Sequence, residues 1–254
     1  MKVNFFSEKI KAKKIKGELQ SKLNNILKTG HYTNSKYVKR FEEIFKNVFQ
    51  SKYCVAVNNG TSALHLSLIA QGIGPGDEVI VPNLTFAASI NTIIHSGATP
   101  VIVDVDPETL TIDPIKIEEV ISKKTKAIMP VHLFGHSCNM NAILNIANKK
   151  NLLVVEDCAE AIGTRYKKKR VGTFGNVSAF SFFGNKTITT GEGGMVLFKS
   201  EKDYQKGKKS GNPKKLILET ELFGSTHKQL DQHISVHQHT LVEKKKLSVT
   251  QISK

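Results

Sequence analysis

Lys186 lies in FSFFGNKTITTGEGG (residues 180–194), between an apolar run and a glycine-rich turn. An amine in such surroundings is desolvated, which favours the neutral nucleophile that forms a Schiff base with an aldehyde. The plainer reading of a lone loop lysine is a solvated surface charge. Asp157 stands in VVEDCAEAIG (154–163), at the carboxyl end of an apolar run, where open α/β sheets place their ligands. A carboxylate there can bond a protonated ring nitrogen and hold its positive charge. Glu160, three residues on, reaches the same cavity if a helical turn follows. Either acid alone can equally cap the next helix.

Two further blocks supply other parts of a binding site. In NNGTSALHL (58–66), Gly60 permits close backbone approach, while Thr61 and Ser62 open a helix. Backbone N–H groups at a helix start, with two hydroxyls beside them, make a phosphate cradle; the simpler reading is an ordinary N-cap. Ser181, five residues before Lys186, can donate to the same phosphate. VPNLTFAAS (81–89) puts Phe86 near a strand end, where its ring can stack on another aromatic system or simply pack in the core. A phosphate cradle, an acid for a ring nitrogen, an aromatic face and an amine for an aldehyde meet the requirements of pyridoxal 5′-phosphate, whose chemistry the protein tunes.

These residues must be held by a scaffold, and the pattern along the chain predicts one. Short β-branched runs at 53–57, 78–82, 100–105, 126–133 and 152–156 alternate with helix-length segments TSALHLSLIAQG, TFAASINTIIHSG, PIKIEEVISKK and NMNAILNIANKK. Leu64 and Leu68 fall one turn apart with Ala63 and Ala70 beside them, an apolar stripe. Such alternation implies crossover connections and an α/β fold, with a mainly parallel mixed sheet covered by helices. Residues 8–29 and 36–49 read as two helices ahead of it. Runs at 176–183 and 194–198 read as two more strands around the turn that carries Lys186.

Other chemistries lose support. FFGNKT lacks the spacing of a Walker A loop, GIGPGDE precedes a strand and is not a dinucleotide fingerprint, and neither GxSxG nor HExxH occurs. Cys54, Cys138 and Cys158 are odd in number and far apart, so no disulfide framework or CxxC pair is expected. The formal charge of +15 is concentrated in residues 1–50 and 199–254, mixed with acids and not interleaved with aromatics. It reads as a solvated surface, and no nucleic-acid partner is expected. His227, His233, His237 and His239 have no accompanying ligand set, so no metal is expected. No apolar run is long enough for a membrane span, the opening MKVNFFSEKIKAKK is not expected to act as a secretory signal, and the expected location is the cytoplasm.

The ordered blocks GTSALHLSL, GDEVIVPNLTFAAS, GATPVIVDVDPETLTIDP, TKAIMPVHLFGH, VVEDCAEAIGTRY and FSFFGNKTITTGEGGMV resemble the DegT/StrS-type family of nucleotide-sugar aminotransferases that use pyridoxal phosphate, and the resemblance covers roughly residues 10–204. The resemblance implies an aspartate-aminotransferase-like large domain of PLP fold type I. It implies Lys186 as the covalent and catalytic lysine, Asp157 as partner of the pyridine nitrogen, Glu160 near the ring oxygen and the sugar, Phe86 stacked on the ring, and Gly60, Thr61, Ser62 and Ser181 at the phosphate. Related dehydratases carry His at the place of Lys186, so lysine argues for transamination. The wording of EDCAEA and FFGNKTITTGEGG is most similar to enzymes that move an amino group from glutamate to C4 of GDP-4-keto-6-deoxymannose, for polysaccharide amino sugars. Partners implied are the nucleotide-diphosphate keto-sugar, glutamate and a second copy in a homodimer.

Asn139 and Asn141 stand where the family usually has acids, a change in capping more than in chemistry. The family's GYNYRMTNIQAAIGLAQL-like stretch and smaller C-terminal domain have no counterpart after about residue 205. The expected organisation is therefore an N-terminal helical segment (1–50), a cofactor-binding large domain (51–204) and a divergent, truncated or scrambled basic tail (205–254). The competing expectations are the same chemistry on a UDP- or dTDP-linked 4-keto-6-deoxyglucose or a 3-keto sugar, and an inactive remnant that keeps the fold.

Overall fold

The computed structural model describes residues 8–30 and 36–210. The four tail histidines and most of the expected tail lie outside the described residues. The chain forms α1 (Glu8–Thr29), α2 (Lys36–Phe49), β1 (Tyr53–Val57), α3 (Gly60–Ala70), β2 (Glu78–Pro82), α4 (Ala87–His95) and β3 (Thr99–Val103). It continues through α5 (Pro114–Val120), β4 (Thr125–Ile128), a short 3₁₀ turn at Leu133–Gly135, α6 (Met140–Lys150) and β5 (Leu153–Asp157). A small hairpin, β6 (Arg165–Tyr166) with β7 (Lys169–Arg170), precedes β8 (Val177–Ser181), β9 (Gly194–Phe198) and α7 (Glu201–Ser210).

Seven strands make one sheet in the order β1-β9-β8-β5-β4-β2-β3. Only β9 runs antiparallel, to β1 on one side and β8 on the other; the other neighbours pair parallel. The β8–β9 connection is a hairpin and needs no crossover helix, which is why the helical spacer vanishes from the sequence there. The carboxyl ends of β1, β2, β4, β5 and β8 therefore open on one edge of the sheet.

Local chemistry fixes the element ends. Asn59 caps α3, its side chain accepting the Ser62 N–H at 2.7 Å. Asp113 and Pro114 start α5, and Asn139 caps α6 through the Ala142 N–H, so asparagine caps that helix as its chemistry allows. Three runs are shorter than their composition suggests. The 126–133 run is a strand only over Thr125–Ile128, because Pro130 has no N–H for a ladder. Beyond it the Pro130 carbonyl accepts the Asp157 N–H, and the Asp157 carbonyl accepts that of His132. The 100–105 run pairs only as Thr99–Val103. Helix α5 stops at Val120 because Ile121 is extended, and the Ser122 N–H turns to the Thr125 hydroxyl.

The core lies on both faces of the sheet. Leu64, Leu66, Leu68 and Ala63 of α3 are buried with Val79, Val81, Val155, Ala179 and Val196, so α3 is buried on more than the single stripe its Leu64–Leu68 spacing indicates. Burying each such leucine contributes roughly 1.5–3 kcal/mol. On the other face α5 and α6 bring Ile117, Met140, Ile143 and Ile146 against Ile80, Ile128 and Val154. Phe45 and Phe49 of α2 meet Phe180 edge to face, centroids 5.0 and 4.9 Å apart. No helix among the described residues is long and apolar enough to cross a membrane.

Candidate active site

A cavity of about 370 Å³ sits where the parallel strands end, within the size range of small-ligand sites. Each sequence block reaches it from a different strand. After β1 come Asn59, Gly60 and Thr61; after β2, Thr85 and Phe86; after β4, Val131 and Leu133; Asp157 ends β5 and Glu160 follows it; Ser181 ends β8 and Lys186 follows it. Seven of the eight expected residues thus line one space. The eighth, Ser62, lies one position deeper, fully buried in the first turn of α3.

The cradle end is built by a close approach. A Cβ on Gly60 would lie 2.8 Å from Ser181 Cβ and 3.0 Å from its Oγ, so glycine is what lets the start of α3 approach the end of β8. The first N–H groups of a helix have no carbonyl within it to donate to, and Ser62 Oγ is buried without a hydrogen-bond partner. An anion at this helix start would answer both deficits.

Asp157 is buried at the cavity floor. One oxygen, Oδ1, accepts the Ala159 N–H at 3.0 Å; the other, Oδ2, accepts the Ser89 hydroxyl at 2.8 Å, and Ser89 in turn meets the Thr85 hydroxyl at 2.7 Å. Burial pushes the carboxyl above its ordinary value, while the Ala159 N–H, the Ser89 hydroxyl and the nearby charge of Lys186 draw it partly back. A buried carboxylate in this setting gains from a cationic partner.

Lys186 is the one amine among the cavity's lining residues. The loop that carries it closes on itself, with Thr190 N–H and Thr189 Oγ1 both donating to the Phe182 carbonyl and the Lys186 N–H donating to that of Phe183. Its Nζ donates to Glu160 Oε1 at 3.0 Å. Turns, not a helix, follow β5, yet they bring Glu160 to the cavity, where Oε2 accepts the Phe134 N–H at 3.0 Å. Phe86, which lines the cavity, is exposed at 64%, so an apolar ring stands free at the mouth.

Several working residues have no local sequence signal. Ser89 reaches Asp157 across 68 positions. Behind Asp157, the fully buried Glu156 accepts four donors: the N–H groups of Phe174 and Gly175 on Oε1, and that of Gly172 with His132 Nε2 on Oε2. His132 Nδ1 accepts the Cys138 N–H, which leaves the ring proton on Nε2 facing Glu156. His132, Glu156 and Cys158 each place a ligand-type atom within 4.8 Å of the others, but both Glu156 oxygens are already taken, so the set reads as a hydrogen-bonded support and not a metal centre. Burial pushes the Cys158 thiol up to about 12, far from the thiolate a metal would need.

The residues present fit pyridoxal phosphate on these observations: an orphaned buried hydroxyl and a glycine-gated cradle for the phosphate, a buried acid for the ring nitrogen, and an amine for the aldehyde. The family profile described as DegT/DnrJ/EryC1/StrS aminotransferase family matches residues 13–233. GDP-perosamine synthase of Caulobacter vibrioides is 55% identical over 161 residues, which cover 63% of this chain and 43% of that relative. GDP-perosamine synthase of Escherichia coli O157:H7 is 55% identical over 170 residues, 67% of this chain and 47% of that one. The structure of NtdA from Bacillus subtilis with bound cofactor PMP superposes with a TM-score of 0.72 at 35% identity, covering 75% of this chain and 43% of that one. The chain thus matches about half the length of these relatives.

Proposed function

Because the chain belongs to the DegT/DnrJ/EryC1/StrS aminotransferase family, we propose that residues 51–204 are the cofactor-binding domain of a pyridoxal-phosphate-dependent transaminase. Its reaction is amino-group transfer from glutamate to C4 of a GDP-linked 4-keto-6-deoxy sugar, for polysaccharide or O-antigen amino-sugar synthesis, in the cytoplasm and as a homodimer. The relatives named GDP-perosamine synthase support that substrate class. The observation that carries the reading is the single lining amine, Lys186, sharing one cavity with the buried acid Asp157 and the Gly60–Ser181 cradle.

When bound, pyridoxal phosphate supplies an aldehyde that an amine can capture and a ring that takes up electrons released at a neighbouring carbon. The chain's own residues do the rest. Asp157 holds a proton at the ring nitrogen, and its burial makes that pairing favourable. Thr61 and the first N–H groups of α3, with the Ser62 and Ser181 hydroxyls, hold the phosphate. Phe86 at the mouth covers the ring and excludes water. Lys186 Nζ is the amine that would capture that aldehyde, and when free and unprotonated it would take a proton from the α-carbon of the amino donor and return it two bonds away, on the far side of the amino nitrogen. Glu160 holds that nitrogen in place between these roles through the 3.0 Å contact.

Glutamate added to the cofactor-loaded protein should release 2-oxoglutarate, and subsequent GDP-4-keto-6-deoxymannose should give a 4-amino sugar by mass spectrometry. Turnover only with a dTDP- or UDP-linked keto-sugar, or only at C3, would reassign the substrate. No release of 2-oxoglutarate from a loaded protein would end the transaminase reading.

A further inference from the structure

The cavity floor holds a hydroxyl relay with a fixed direction. An ionised carboxylate only accepts, so the 2.8 Å contact between Ser89 Oγ and Asp157 Oδ2 is a donation by serine. The serine hydrogen is then spent, and the 2.7 Å contact between the Thr85 and Ser89 hydroxyls must be a donation by threonine. All three residues are buried in the cavity floor, which shields these contacts from bulk water. With the Ala159 N–H on Oδ1, each carboxylate oxygen has one fixed donor, and the plane of the group is pinned while further acceptor sites remain. The same helix start also sets the mouth: Phe86 caps α4 and its carbonyl accepts the Ser89 N–H. The residues that carry the aromatic ring and the hydroxyl that grips the acid are thus joined through the backbone of one helix start.

We propose that Ser89 is a positioning residue for Asp157, and that Thr85 completes the relay Thr85 to Ser89 to Asp157, which fixes the carboxylate's orientation toward the ring nitrogen of the cofactor. The inference rests on the functional reading above. The charged and titratable groups that bear on Asp157 are Lys186 from the loop after β8, His132 from the segment after β4 and the adjacent Cys158 thiol; Ser89 from α4 and the Ala159 N–H add hydrogen bonds to it. Of these, Ser89 is the one side-chain hydrogen-bond donor to the carboxylate.

The test is a double-mutant cycle in the full chain, read by the equilibrium dissociation constant for pyridoxal phosphate with thermal unfolding run in parallel. Ser89→Ala should weaken cofactor binding about tenfold, the scale of one hydrogen bond to a charged group, and Thr85→Val should weaken it about threefold by freeing the serine. In an Asp157→Asn background Ser89→Ala should change affinity by less than about twofold. Affinity of Ser89→Ala within about twofold of the unmodified chain, or the same loss in both backgrounds, overturns the proposal and leaves Ser89 a packing residue. If the unmodified chain takes up no cofactor, the functional reading fails, and the relay is judged on the cofactor-free protein by carboxyl ¹³C NMR. There, Asp157 titrating at higher pH in Ser89→Ala supports it, and an unchanged titration overturns it.

Discussion

Lys186 Nζ and Glu160 Oε1 lie 3.0 Å apart, and the second oxygen of that carboxylate accepts the Phe134 N–H at 3.0 Å. One acid therefore ties the reactive amine to the backbone at the cavity mouth. Glu160→Gln keeps an acceptor for one of the two donors, whereas Glu160→Leu keeps none. We expect Glu160→Gln to bind cofactor within about threefold of the unmodified chain and Glu160→Leu to lose about 1 kcal/mol of stability, the ordinary worth of a partly exposed pair. Cofactor titration and denaturant midpoints check both.

Glu156 and Asp157 are neighbours with opposite pH signatures. Burial alone would raise the Glu156 carboxyl, but His132 and the Gly175 and Gly172 N–H groups hold it below its ordinary 4.5. A depressed carboxyl contributes stability that is complete above the unfolded value and is lost as pH falls through the folded one. Relative to Glu156→Gln, the unmodified chain should therefore gain stability as pH rises through the window just below 4.5. Asp157 is raised above 3.8 by burial, so its ionised form costs stability. Relative to Asp157→Asn, the unmodified chain should lose stability as pH rises from about 3.8 through the folded value. Unfolding curves of cofactor-free protein across acid pH measure both slopes; parallel slopes would reject the assignment.

Gly60→Ala would drive a Cβ to 2.8 Å from Ser181 Cβ. The start of α3 and Ser181 must then part, at a cost of roughly 1–3 kcal/mol, and the phosphate cradle opens with them. We expect a folded protein whose cofactor dissociation constant rises at least tenfold on the scale of such strain, with far-UV circular dichroism unchanged.

Ser62 Oγ is buried without a partner, so its removal costs the cofactor-free protein nothing in hydrogen bonding. Ser62→Ala should leave that form as stable or up to about 1 kcal/mol more stable, yet shrink the stabilisation that saturating pyridoxal phosphate confers. Thermal unfolding with and without the cofactor separates the two effects.

Much of this site was legible because its parts are local. Asp157 ends an apolar strand, Gly60 opens a helix after another, and Lys186 sits in a glycine-rich hairpin; strand–helix alternation then brings all three to one sheet edge. What stayed hidden depends on distant pairing. Nothing around Ser89 signals that it grips an acid 68 residues away, and nothing around Glu156 signals four donors from the segments near residues 132 and 172–175. The 126–133 run is a strand over fewer residues than its composition indicates, because composition shows β-branched residues but not the ladder that Pro130 interrupts. Ser62 opens α3 beside Gly60, but its hydroxyl is buried in that first turn without a partner, which its sequence block does not reveal.

The central claim is that one amine captures the cofactor. Borohydride reduction of the protein mixed with pyridoxal phosphate, followed by peptide mapping, should place a pyridoxyl group on Lys186 and none on Lys186→Ala. A label spread over surface lysines, or absent from position 186, would contradict the account.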